Sequence, residues 1–191
     1  MTRYMRYLST IAIATAALIA MSAVTVCAMP TSTVDIIALV HHTSALKVDR
    51  SVPNIYPRDV KDHPYIAIAH AREGTIGGFL DTGVARRGKL SDGTKVLILP
   101  LDSGGSGGVF TTIVFAQRVG GAPWFSGYVT SGGHLGVVVN KGRIVATMPD
   151  YGPKDPNCCP SHYYRETYTL RNGKLALLAR VTLAKLPTLT H

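Results

Sequence analysis

From Pro64 onward, apolar positions come in short runs with turn residues between them. Tyr65–His70 is a brief apolar stretch, and Ser91-Asp92-Gly93-Thr94 is turn chemistry before Lys95–Leu99. Val109–Gln117 is rich in Val, Ile, Thr and Phe, residues that favour strands. Trp124–Thr130 alternates aromatic with small residues. Leu135–Val139 and Arg143–Met148 flank Asn140-Lys141-Gly142, a hairpin signal. Tyr163–Leu170 and Leu175–Val181 flank Arg171-Asn172-Gly173-Lys174. Asn-Gly suits a type I′ turn, in which both central residues need positive φ. Short strands about 8–12 residues apart, with turns between them, predict a mostly antiparallel β domain.

The N-terminal third reads differently. Ile36, Leu39, Val40 and Leu46 approximate a helical stripe after caps at Thr31–Thr33, although the β-branched content also permits a strand. Pro53, Pro57 and Pro64 mark an irregular crossing. The expected fold class is therefore α+β, mostly β: an antiparallel sheet of hairpins with an N-terminal helix or extended segment packed beside it. The expected layout is a signal peptide over 1–28, an N-terminal segment and Pro-rich linker over 29–63, and a β-rich domain over 64–186.

The signal peptide rests on order along the chain. Arg3 and Arg6 precede an uncharged apolar run from Leu8 to Val26, and Val26-Cys27-Ala28 offers a cleavage site after Ala28. An uncleaved anchor and lipidation at Cys27 are the alternatives. A bacterial lipobox wants a small residue where Val26 stands. The expected location is exported: periplasmic, secreted or envelope-associated. Loss of Arg3 and Arg6 with the leader lowers the formal charge from +9 to +7. Such a charge draws a protein toward anionic envelope components. The basic residues are scattered along the chain, with Arg86-Arg87-Gly88-Lys89 as the one cluster, so the plainest reading is solubility charge. No stretch interleaves aromatics with cations as single-stranded nucleic-acid grooves do, and no nucleic acid is expected.

Cys158 and Cys159 stand side by side between Pro156 and Pro160. Adjacent Cα atoms lie about 3.8 Å apart, below the usual disulfide range, so a Cys158–Cys159 bond would be strained and easily reduced. A structural loop is the first reading, with or without that vicinal disulfide. A redox switch, or a soft-metal site built from Cys158, Cys159 and His162, is the alternative. No cofactor is expected.

Ser103-Gly104-Gly105-Ser106-Gly107-Gly108, then Gly152-Pro153-Lys154-Asp155-Pro156-Asn157-Cys158-Cys159-Pro160-Ser161, then Arg165-Glu166-Thr167-Tyr168, follow one order. That order, over about Leu97–Leu178, resembles a group of uncharacterised exported bacterial proteins and lipoproteins that share a D-P-x-C-C-P-[ST] loop. Mycobacterial lipoproteins of the LppP/LprE type look like more distant relatives. The resemblance implies an envelope location and a β domain, and no reaction. Many of that group carry D-x-D-G-D-G before the glycine loop. Here the corresponding stretch is Lys89-Leu90-Ser91-Asp92-Gly93-Thr94, which does not support calcium binding.

Other motifs compete for attention. Leu80-Asp81-Thr82-Gly83 matches the D-T-G of aspartic proteases, which would make Asp81 a catalytic carboxylate shared across a homodimer. Val84-Ala85-Arg86 departs from that pattern, and a strand ending in a turn explains the residues as well. Gly104-Gly105-Ser106-Gly107-Gly108 fits G-x-S-x-G, but a strand-like run follows it where a nucleophile elbow needs a helix. His41-His42 reads as packed or exposed rather than metal-binding, and Trp124 as core or interface rather than a cofactor platform. The expectation is a non-catalytic binding or structural module, with Ser103, Gly104, Gly105, Ser106, Tyr151 and Asp155 as candidate contacts. Tyr163, Tyr164 and Tyr168 join Tyr151 around the cysteine loop as a candidate sugar or peptide face.

Overall fold

The computed structural model describes residues 28–52, 63–68, 76–105, 108–156 and 159–183. The expected signal segment up to Cys27, together with Ser106 and Cys158, lies outside the described residues. Chain order gives helix α1 (Thr33–His41), then β1 (Leu46–Val48), β2 (Tyr65–Ile68) and β3 (Ile76–Leu80). After a 3-10 turn at Thr82–Val84 come β4 (Arg86–Lys89), β5 (Lys95–Asp102), β6 (Val109–Gln117) and β7 (Trp124–Thr130). The chain then forms β8 (Gly136–Asn140), β9 (Arg143–Asp150), β10 (His162–Arg171) and β11 (Lys174–Leu183).

The strands make two antiparallel sheets. The larger runs β1-β2-β3-β5-β6-β7, and the smaller runs β11-β10-β9-β8. β3 and β4 share one edge of β5: Lys89 pairs with Lys95 and Arg86 with Ile98, while Leu80 pairs with Leu101 and Phe79 with Asp102. The larger sheet is the middle layer. Leu97, Leu99, Leu101, Ile113 and Phe115 face α1, whose Ile36 and Val40 are buried against them. Val96, Ile98, Val114 and Ala116 face the smaller sheet and meet Val137, Ile144 and Ala146. Burial on both faces explains why Val96–Leu99 and Ile113–Ala116 are continuous apolar runs rather than alternations.

The ambiguous N-terminal stretch contains both elements that its pattern allowed. Ser32 caps α1, accepting from the Asp35 N–H at 3.1 Å and donating to its carboxylate at 2.8 Å. β1 then pairs with β2 through Leu46 and Ile68, so the N-terminal segment supplies a strand to the sheet. Arg87 fastens the chain entry by donating to the Pro30 carbonyl at 3.0 and 3.2 Å and to the Thr31 carbonyl at 3.2 Å. Gly88 is where β4 passes β8: an added Cβ there would collide with Val139.

Phe115 is fully buried, with its ring edge-on to Phe125 at 5.9 Å between centroids. Phe115→Ala should lower the unfolding free energy in urea by roughly 3–5 kcal/mol. Leu177→Ser, at a side chain 48% exposed on β11, should stay within about 0.5 kcal/mol of the parent.

Candidate functional site

One end of the two sheets carries three loops: 103–108 between β5 and β6, 131–135 between β7 and β8, and 151–161 between β9 and β10. In the first, the Asp102 carboxylate accepts from Gly104 N–H at 2.7 Å, and Ser103 N–H donates to Gly108 O at 2.9 Å. The second loop is tied to the start of β6, through Ser131 N–H to Phe110 O (2.9 Å) and Leu135 N–H to Val109 O (2.8 Å). It also touches both other loops. A Cβ at Gly108 would lie 3.5 Å from His134 Nδ1, and one at Gly132 would lie 4.0 Å from the Tyr151 ring. Ser103, Gly104, Gly105 and Tyr151 thus belong to one continuous end of the molecule.

Asp155 has a different task from the rest. Its carboxylate accepts from Gly152 N–H at 2.8 Å, from Ser161 N–H at 2.7 Å and from the Ser161 hydroxyl, closing the 151–161 loop on itself. The Ser161 hydroxyl, followed by the two backbone donors, holds the carboxyl below its ordinary 3.8. A lowered pKa contributes stability above 3.8 that is lost as pH falls through the lower folded value. The pH transition of the Gly152 and Ser161 amide resonances should therefore have its midpoint below 3.8. In Asp155→Asn they should be displaced at every pH.

Beside these loops is a cleft of about 500 Å³. It exists because β5 turns away at Asp102 while β3 runs on past it, through Gly78 and Gly77 to Ile76. The walls are Ile76 and Gly77 of β3, Tyr65 of β2, Phe110 and Thr111 of β6, and the Thr130–Gly132 end of β7. A β-bulge aims Phe110: Leu101 pairs with Thr111 and Asp102 with Val109, so residue 110 is the extra one and its ring is 36% exposed. Tyr65 stacks edge-on to Phe79 at 5.3 Å and lies over Gly77, where a Cβ would come within 2.9 Å of the phenol oxygen. Thr111 and Thr130 are cross-strand partners. The sequence pattern contained none of this, because the cleft depends on where β5 stops and on one extra residue in β6.

The other candidate residues stand apart. Asp81 caps the 3-10 turn, accepting from Gly83 N–H at 2.8 Å, and lies 3.8 Å from His63 Nε2. That turn is the kink between β3 and β4, with Thr82 bonded to Thr33 beside α1 at 3.0 Å. Cys159 and His162 are exposed. Among the described residues no three His, Cys, Asp or Glu side chains group as metal ligands would.

A buried polar cluster escaped the sequence reading. Glu166, 3% exposed, points into the interface between the sheets. It accepts from Arg180 Nε at 2.6 Å, pairs with the same guanidinium, and accepts from the Tyr168 hydroxyl. Arg180 also lies over the Tyr164 ring at 5.1 Å. Burial first, and the bond to Glu166 second, push the Tyr168 phenol well above its ordinary 10.0. A raised phenol pKa gives stability that is present below 10.0 and lost as pH rises toward the folded value. Parent protein should thus lose stability progressively above pH 10.0 in urea titrations, and Tyr168→Phe should show a flatter alkaline limb.

No protein-family model, curated protein or solved structure matches this chain.

Proposed function

We propose that this is an exported, non-catalytic binding module whose ligand is a short extended peptide held in the cleft between β3 and the β6–β7 end. The carrying observation is the overhang of β3 past Asp102. Leu80 N–H donates to Pro64 O at 3.0 Å, so alternation along an antiparallel strand turns the Gly77 amide and carbonyl the other way, into the cleft. A strand edge offered to an incoming peptide supplies affinity through main-chain hydrogen bonds, and pockets beside it supply selectivity. Phe110 and Tyr65 provide the apolar walls here, and Thr130 brings a hydroxyl side chain to the lining. Export is supported by the charged start, the apolar run and the Val26-Cys27-Ala28 cleavage pattern.

The test is a ¹H–¹⁵N NMR titration with acetyl-Val-Thr-Val-Thr-amide. Shifts should concentrate at Gly77, Thr111 and Thr130, and Phe110→Ala should weaken binding roughly ten-fold or more, the loss of one buried aromatic contact. Shifts elsewhere, or none up to the peptide's solubility, would overturn the cleft assignment. Intact mass of the chain from the envelope fraction checks export independently: the expected species begins at Met29.

A further inference from the structure

Antiparallel hairpins carry the residues flanking each turn to one end of a sheet. Four turns lie at the end opposite the cleft: 90–94 before β5, 118–123 before β7, 141–142 before β9 and 172–173 before β11. Hydrogen bonds join them in pairs. The Ser91 N–H and hydroxyl both donate to Gly142 O, at 3.0 and 3.2 Å. The Trp124 indole donates to Gly173 O at 2.8 Å, and the Lys174 ammonium to Phe125 O at 3.4 Å. These bonds tie the turns in two pairs, 90–94 with 141–142 and 118–123 with 172–173, and the Lys95–Gln117 pairing of β5 with β6 sets the first turn beside the second.

That end is basic at every turn. Lys89 and Lys95 flank the first turn as direct cross-strand partners, and Arg118 follows β6. Lys141 and Arg143 make the third turn, and Arg171 and Lys174 flank the fourth; all seven side chains are exposed. Among the described residues of these turns the acid is Asp92, whose carboxylate accepts from Thr94 N–H at 2.9 Å. The cleft end instead carries Asp102, Asp150 and Asp155, with Lys154 beside them. Like charges directly opposite on neighbouring strands destabilise a sheet, so the Lys89–Lys95 pair is a cost that an anionic partner would relieve.

A second observation selects the partner. Val119 stands beside Arg118 in the 118–123 turn and is 86% exposed, followed by Gly120 and Gly121. A hydrated polyanion offers nothing to an apolar tip among cations. A bilayer offers both anionic headgroups and an acyl boundary at the matching depth.

We propose that the four-turn end docks on an anionic lipid surface, with the cations at phosphate headgroups, Val119 at the acyl boundary and the cleft turned away. This docking is independent of what the cleft binds. The full chain is assayed on sedimenting vesicles of phosphatidylcholine alone and of equal parts phosphatidylcholine and phosphatidylglycerol. The apolar N-terminal segment contributes to both, so the readout is the ratio of the two partition coefficients. Lys141→Asn/Arg143→Gln should lower that ratio roughly twenty- to thirty-fold, about five-fold per cation removed. Added salt should lower it in the parent. Val119→Ser should weaken binding to the mixed vesicles and leave binding to soluble polyphosphate unchanged. Hydrogen exchange at 118–121 in the parent should slow on mixed vesicles, a readout that needs no variant. An unchanged ratio in a natively folded double variant would overturn the proposal. So would unslowed exchange at 118–121, or a Val119→Ser variant that binds mixed vesicles as the parent does while the double variant loses only polyphosphate.

Discussion

Everything else in the molecule hangs on the burial of β5 and β6 on both faces. Leu97, Leu99, Ile113 and Phe115 are sealed by α1 on one side, and Val96, Ile98, Val114 and Ala116 by the smaller sheet on the other. Each of these side chains is at most 1% exposed. At roughly 25 cal/mol per Å² of apolar area, such a pair of strands is the main source of stability in a domain of this size. It also removes freedom of register, since a one-residue slip would exchange the two sets of side chains between unlike neighbours. With β5 and β6 fixed, the end of β5 at Asp102 and the bulge at Phe110 are fixed as well, and with them the shape of the cleft.

The same geometry sorts chemistry by end. A hairpin protein has two ends, and residues far apart in sequence meet there. Arg86-Arg87-Gly88-Lys89 looks like the basic cluster of this chain, yet the strand disperses it. Arg86 reaches the Val137 carbonyl at 3.4 Å, Arg87 reaches Pro30 and Thr31, and only Lys89 remains at the turn. Cations that look scattered, from Lys95 to Lys174, converge instead. Charge in this fold is a property of strand ends rather than of runs in the sequence, so a count of clusters along the chain misjudges it.

How much could be read in advance follows from which interactions are local. Val109–Gln117 and Trp124–Thr130 have the bounds that their composition predicts, because strand preference acts within the segment. The Asn172-Gly173 turn was legible for the same reason: φ is 50° at Asn172 and 75° at Gly173, as a type I′ turn requires. β3 was not. Ile76-Gly77-Gly78-Phe79-Leu80 lacks a strand's composition because both glycines answer to neighbours, Tyr65 over Gly77 and Leu101 against Gly78. β4 was hidden by its arginines, whose guanidiniums donate to carbonyls far away in sequence. Glu166 was visible only as a letter in a motif, since its burial depends on Arg180 arriving from the next strand.

The Glu166–Arg180 pair shows why β11 is where it is. β11 is the outer strand of the smaller sheet, and Leu177, Leu178 and Val181 are 41–55% exposed, so apolar burial alone holds it weakly. A buried carboxylate left without its guanidinium is strongly unfavourable, whereas the pair itself adds little beyond what well-packed apolar residues would. The pair therefore acts as a register lock. Sliding β11 by one residue would withdraw Arg180 from Glu166 and leave a charge in the core. The lock also aligns the β10–β11 turn, which places Gly173 under the Trp124 indole and Lys174 against Phe125. A polar interaction inside the sandwich thus determines where the fourth basic turn meets the second, and so connects the interior of the fold to the charge pattern on its surface.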